Sequence, residues 1–144
     1  TVLMRMLHYP PQAQAQEPGS IGAYPHTDYG VITVLAQDPS GGLELQKTDG
    51  SWIAAPYVPG TFVINIGDLM ARWTNGLYQS NKHQVVNRTG KERFSIPFFF
   101  NPDHRAVVEC IPNCNQLNNL DVYPPVVAGE YIANKIRSNQ GFKD

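Results

Sequence analysis

The sequence predicts an all-β domain, a sandwich or barrel most compatible with a jelly roll, closed by one C-terminal helix. Three observations carry that prediction. Short runs of β-branched and aromatic residues arrive about every ten positions, each bounded by Gly, Pro, Asn or Asp. No long helical pattern lies between them, and no internal repeat competes with this reading. Only residues 128–137 place apolar side chains at helical spacing, through Tyr131, Ile132 and Ile136.

Thr1 to Tyr9 reads as the first strand, with Val2, Met4, Met6 and His8 on one face and Leu3, Arg5, Leu7 and Tyr9 on the other. Pro10-Pro11 ends it. Residues 12–22 are polar and aperiodic, with Gly and Pro among them, and read as a loop leading to His26. Val31 to Gln37 suits a buried strand, and Asp38-Pro39-Ser40-Gly41-Gly42 is a turn. Leu43 to Lys47 and Ser51 to Ala54 form a hairpin around Thr48-Asp49-Gly50. Thr61 to Ile66 is the most strand-like run. Gly67-Asp68 breaks it, and Asp68 is placed to cap a short helical turn through Trp73. Lys82 to Asn87 and Arg93 to Asn101 read as the two strands of a second hairpin, and Ala106 to Cys110 as a last short strand.

Composition narrows the possible roles. A chain of 144 residues is long enough for one domain with a real core. With 42% hydrophobic residues and a net charge of -1, nothing points to nucleic acid or to a membrane surface as a partner. No apolar run approaches the roughly 20 residues of a membrane span, and no signal-peptide pattern opens the chain, so the expected location is cytoplasmic. The chain starts at Thr1 directly in a strand pattern and is expected to be part of a longer protein. Cys110 and Cys114 are too few for a disulfide framework and read as free thiols. Asn87-Arg88-Thr89 is a glycosylation sequon by pattern alone.

The chemistry centres on His26-Thr27-Asp28. On an extended strand His26 and Asp28 point the same way, so an imidazole and a carboxylate face one point. By itself this pattern fits equally a half-buried histidine bonded to a neighbouring aspartate. His83, 55 positions after Asp28, supplies the third member of a 2-His-1-carboxylate set, the donor set that holds Fe(II) on one face and leaves the other open. Arg93 and Ser95 share a strand face ten and twelve positions beyond His83. A solvated edge charge is the ordinary reading of such an arginine, yet a rigid guanidinium beside a hydroxyl is also what anchoring a dicarboxylate requires.

Taken together, H-x-D, Asn65-Ile66-Gly67-Asp68, Arg72-Trp73-Thr74-Asn75-Gly76, His83-Gln84-Val85-Val86-Asn87-Arg88 and Arg93-Phe94-Ser95-Ile96-Pro97-Phe98-Phe99-Phe100 form an ordered set. It resembles the C-terminal oxygenase domain of the isopenicillin N synthase-like Fe(II)/2-oxoglutarate-dependent dioxygenases, over nearly the whole chain. The resemblance implies a double-stranded β-helix over residues 1–144, as the C-terminal region of a longer chain. It implies Fe(II) on His26, Asp28 and His83, and 2-oxoglutarate anchored by Arg93 and Ser95 with Tyr9 in contact. O2 would be the oxidant. The implied activity is oxidation of a small organic molecule by hydroxylation, desaturation or cyclisation, with release of succinate and carbon dioxide. Leu7 stands where many plant members have an asparagine, and it offers the cosubstrate no donor. Two alternatives accompany this reading: a same-family Fe(II) oxidase that does not consume 2-oxoglutarate, and a catalytically silent jelly-roll binding module. Tyr29 and Phe99 are the candidates for touching substrate, Phe99 by strand parity if Pro97 leaves the pleat intact. His8 and His104 read as structural or solvated, and Trp73 as packing. A sheet lacking its partner region is expected to expose apolar surface and to associate.

Overall fold

The computed structural model describes residues 2–11, 21–115 and 123–139. Among these described residues, eleven strands and three helices follow one another as β1 (Val2–Met4), β2 (Leu7–Tyr9), β3 (Ile21–His26), β4 (Ile32–Gln37), β5 (Leu43–Gln46), β6 (Trp52–Ala54), β7 (Val63–Ile66), α1 (Asp68–Trp73), β8 (His83–Val86), β9 (Arg93–Phe100), β10 (Val107–Val108), α2 (Pro112–Asn115), β11 (Val126–Val127) and α3 (Ala128–Asn139). β9 is the spine of a five-stranded sheet ordered β1-β9-β4-β7, with β2 also paired to β9. A four-stranded sheet runs β3-β8-β5-β6, and β10 and β11 form a separate pair. All of these pairings are antiparallel. This is the double-stranded β-helix expected from the sequence, with its C-terminal helix in place.

Leu35 of the larger sheet packs against Leu43 and Val85 of the smaller one, with Tyr9, Ala23, Ala55 and Val63 around them. That cluster sets the two sheets face to face. A second cluster, Val31, Leu69, Val108 and Ala128, carries Trp73, Tyr131 and Ile132 and fastens α1 and α3 to one end of the sandwich.

Four expectations are revised. The first strand is interrupted at Arg5-Met6, although β1 and β2 keep one register on β9, so the two faces alternate as the sequence implied. Ile21–His26 forms a strand despite Gly22 and Pro25, its pairing with β8 broken by register shifts that absorb both residues; residues 12–20 lie outside the described set. β8 and β9 do not form a hairpin: β8 pairs with β3 and β5, β9 with β1, β2 and β4, so the connection crosses from one sheet to the other. Asp68 does not cap α1. Gly67 occupies the N-cap without a side-chain bond, and the buried Asp68 carboxylate instead receives Lys135 Nζ at 2.9 Å and the Tyr131 hydroxyl at 3.1 Å from α3. Burial alone would raise that carboxyl's pKa, but Ser80, Lys135 and Thr27 hold it below its usual value.

The outer face of the larger sheet is apolar and open. Val2, Met4, Ile64, Phe94, Ile96 and Phe100 are all exposed. Cys110 and Cys114 are free thiols. The sequon asparagine, Asn87, is buried with its Nδ2 donating to the Lys91 carbonyl at 2.6 Å, so its amide is engaged within the fold. Among the described residues no helix is long and apolar enough to cross a membrane.

Candidate metal centre and anion pocket

β3 ends at His26, which lies directly opposite His83 of β8. Asp28 falls beyond the strand, in the loop before β4, and is positioned by α1 rather than by a ladder. Its carbonyl accepts from Asp68 N at 2.8 Å, and the Gly30 carbonyl accepts from Leu69 N at 2.9 Å. Gly67 permits this approach, because a Cβ there would fall 2.3 Å from the Gly30 carbonyl oxygen. His26, Asp28 and His83 each direct one donor atom at a common point, all within 4.8 Å of one another.

The remaining ring atoms explain the aim. His26 Nδ1 donates to the Tyr24 carbonyl at 2.7 Å, and His83 Nδ1 to the Asn81 carbonyl at 3.2 Å, which leaves both Nε2 lone pairs for the centre. His83 Nε2 stands 3.8 Å from Asp28 Oδ1, too far for a hydrogen bond and close enough for one ion to bridge them. Asp28 Oδ2 is buried with no hydrogen-bond partner among the described residues. Burial pushes His83 towards the neutral form, against the pull of Asp28, and the neutral ring is the one that ligates. A histidine simply bonded to Asp28 is not what forms, since His26 gives its proton to Tyr24. Two imidazole nitrogens and one carboxylate oxygen, with an unpartnered carboxylate atom, fit an Fe(II) ion.

The facing wall is β9. Arg93, Ser95 and Pro97 are buried while Phe94 and Ile96 are exposed, so the pleat runs through Pro97 unbroken and Phe99 points inward with them. Tyr9 lies opposite Arg93 and Leu7 opposite Ser95. Arg93, only 1% exposed, donates from Nε to the Gly41 carbonyl at 2.6 Å. Nη1 and Nη2 are buried with no hydrogen-bond partner among the described residues. Those two atoms form the planar fork that a carboxylate satisfies in bidentate fashion. Between the two walls lies a cavity of about 530 Å³, lined by the three convergent residues and by Tyr9, Leu7, Arg93, Ser95 and Phe99.

The other sequence candidates separate. Tyr29 lines a different cavity beside α3, and its hydroxyl accepts a hydrogen bond from Asn139 Nδ2. Phe99 lines both cavities. His8 is exposed and stacks on Phe94, and His104 is exposed in its loop. Sequence reasoning missed Asn87 and Arg5 as cavity residues. Asn87 lies four positions after His83 within the motif His83 to Arg88, and Arg5 shares the face of Leu7 and Tyr9, so strand parity held both signals.

A jelly roll in which three convergent side chains that could hold a metal face a buried guanidinium with two unpartnered Nη atoms has the layout of a candidate mononuclear metal centre beside a candidate anion pocket. Residues 1–102 match the model of the 2OG-Fe(II) oxygenase superfamily, and the chain belongs to that family. A 2-oxoglutarate-Fe(II) type oxidoreductase, hxnY, of Emericella nidulans is 44% identical over 144 residues, 96% of this chain and 40% of the relative. A 1-aminocyclopropane-1-carboxylate oxidase of Dictyostelium mucoroides is 44% identical over 111 residues, 76% of this chain and 30% of the relative. A full-length Neurospora crassa protein solved in complex with alpha-KG superimposes with a TM-score of 0.88 at 35% identity, covering 96% of this chain and 44% of that one. The chain thus spans about 40% of the length of the first of these curated relatives.

Proposed function

We propose that the chain carries the oxygenase centre of an Fe(II)- and 2-oxoglutarate-dependent dioxygenase acting on a small organic molecule. In this reading His26, Asp28 and His83 hold the metal. Arg93 takes the far carboxylate of 2-oxoglutarate, with the Ser95 hydroxyl beside it and the Tyr9 ring packed over the guanidinium. The iron would supply oxygen activation coupled to decarboxylation of the cosubstrate to succinate and carbon dioxide. This chain's residues would fix the two ends of the dicarboxylate, exclude water between the sheets, and leave a substrate C–H bond free to approach from the open side.

The observation that supports this most is the pair of partnerless Nη atoms of Arg93 on the wall opposite the metal donors. A buried guanidinium with two unsatisfied donors is costly unless an anion joins it, and a dicarboxylate spanning both walls is that anion. Leu7 lines the same cavity and offers no donor, so the grip on the cosubstrate falls to Arg93 and Ser95. Calorimetric titration of the Fe(II)-loaded protein with 2-oxoglutarate under argon tests the reading. Binding by the parent and its loss in Arg93→Met are expected. Equal binding by both would exclude the assigned role of Arg93. Succinate formation in air then separates this activity from an iron oxidase that leaves 2-oxoglutarate intact.

A further inference from the structure

Beside the main cavity a second one, of about 200 Å³, lies between the metal-ligand loop and α3. Leu3, Phe99, Ile132 and Ile136 give it an apolar lining, Ile132 and Ile136 standing one turn apart on the same face of α3. The two cavities share His26, Asp28, Phe99 and Arg5, so they meet at the metal centre.

Arg5 is directed there by register. Its N–H donates to the Pro97 carbonyl at 3.1 Å, continuing the ladder in which Leu3 faces Phe99, Leu7 faces Ser95 and Tyr9 faces Arg93. It sits on the cavity side of the sheet, two residues from Leu7 and four from Tyr9, about 7 and 14 Å along the strand. Arg93 and Arg5 therefore stand at opposite ends of one wall. Arg93 is buried, and Arg5 is exposed and forms no ion pair or side-chain hydrogen bond with another described residue.

Charge separates the tasks of the two arginines. A divalent ion on one carboxylate, together with Arg93 and Arg5, makes the pocket strongly positive. A dicarboxylate held by the metal and Arg93 neutralises all of that except one charge, and the cation left over is Arg5. A monoanion with an apolar body matches a single guanidinium at the edge of a hydrophobic cleft.

Building on the functional reading above, we propose that Arg5 anchors the substrate and that the substrate is a small organic acid. Its carboxylate pairs with the Arg5 guanidinium, its apolar body lies against Leu3, Phe99, Ile132 and Ile136, and the carbon between them faces the metal. α3 thereby becomes part of the substrate site as well as a brace for the fold.

The test uses the full chain loaded with Fe(II) and 2-oxoglutarate under argon, titrated calorimetrically with a panel of apolar monocarboxylates of about six to ten carbons, sized to a cleft of this kind, and their primary amides. At least one acid should bind on the order of tenfold or more tighter than its amide. Arg5→Met should abolish that preference, Arg5→Lys should restore part of it, and 2-oxoglutarate affinity should stay within about twofold of the parent in both. Arg5 is exposed, so neither variant threatens the core. A panel in which no acid outbinds its amide overturns the proposal, as does an acid preference that survives in Arg5→Met. Failure of the parent to bind 2-oxoglutarate overturns the dioxygenase reading and this proposal with it, whereas a parent that binds 2-oxoglutarate and still shows no acid preference counts against the role of Arg5 alone.

Discussion

The guanidinium of Arg93 lies 4.8 Å from the centroid of the Tyr9 ring, and the two residues are direct partners in the β2–β9 ladder. The ring covers one face of the cation while Nε is tied to Gly41, yet both Nη atoms stay unpaired. Arg93→Met is accordingly expected to leave the ligand-free chain as stable as the parent or up to about 2 kcal/mol more stable, because it removes a buried charge lacking full compensation. The same variant should show no rise in melting temperature on adding 2-oxoglutarate, while the parent does. Thermal denaturation with and without the dicarboxylate measures both effects.

Removing a metal donor should act in the opposite direction. Asp28→Ala deletes the only carboxylate of the trio, and His83→Ala deletes the donor on the other strand. Each is expected to lower Fe(II) affinity by about a hundredfold or more, since a ligand matters more than the outer partners that alone tune affinity roughly 10–100-fold. Anaerobic titration with Fe(II) gives the numbers. Unchanged affinity in His83→Ala would remove that residue from the centre.

The ion pair between Asp68 and Lys135 predicts a pH profile. The Asp68 carboxyl is held below its usual 3.8, so its contribution is complete above that value and is lost as pH falls through the lower folded value. Lys135 is raised above 10.5 by Asp68, so its share is complete below 10.5 and disappears as pH climbs past the folded value. The pair should therefore support a stability plateau from about pH 4 to about pH 10.5, of about 1 kcal/mol once the partial exposure of Lys135 is allowed for. Urea melts across this range should show the plateau lowered in Asp68→Asn and its acid edge flattened.

The open apolar face of the larger sheet predicts association. Phe94, Ile96 and Phe100 lie on one face of β9, beside Val2 and Met4 of β1, with Ile64 of β7 on the same face across β4. A contiguous apolar surface of this kind draws in a second surface unless it is covered. Sedimentation velocity of the 144-residue chain should reveal concentration-dependent oligomers, and the double variant Ile96→Lys, Phe100→Lys should shift them towards monomer. A parent chain that stays monomeric at all concentrations would contradict this.

The parts of the fold legible in the sequence are those governed by period two. Arg93, Ser95 and Phe99 share a face because strand alternation is local, and Tyr9 and Leu7 oppose them for the same reason. His26 and His83 are recognisable as donor types, but the opposition of their strands depends on a pairing between positions far apart. The hairpin expected between β8 and β9 does not form, because a tight polar turn looks the same whether the chain returns to its own sheet or crosses to the facing one. Asp68 misleads for a related reason: a carboxylate at a helix start satisfies the capping rule locally, and its partner Lys135 lies 67 positions away on α3. β3 is hidden by Gly22 and Pro25, which signal a loop unless a bulged register accommodates them.

Because β8 and β9 belong to facing sheets, the distance between the metal donors and the Arg93 fork is set by the thickness of the sandwich at Leu35, Leu43 and Val85. Those three aliphatic side chains act as a gauge block. Trimming one, as in Leu43→Ala, narrows the gap if the sheets settle together and leaves it unchanged if a void remains. On the proposed reading, the length of diacid able to bridge the walls would be set by core methyl groups that never touch it, and a library varied only at these positions would be a route to altered cosubstrate length with every polar residue left in place.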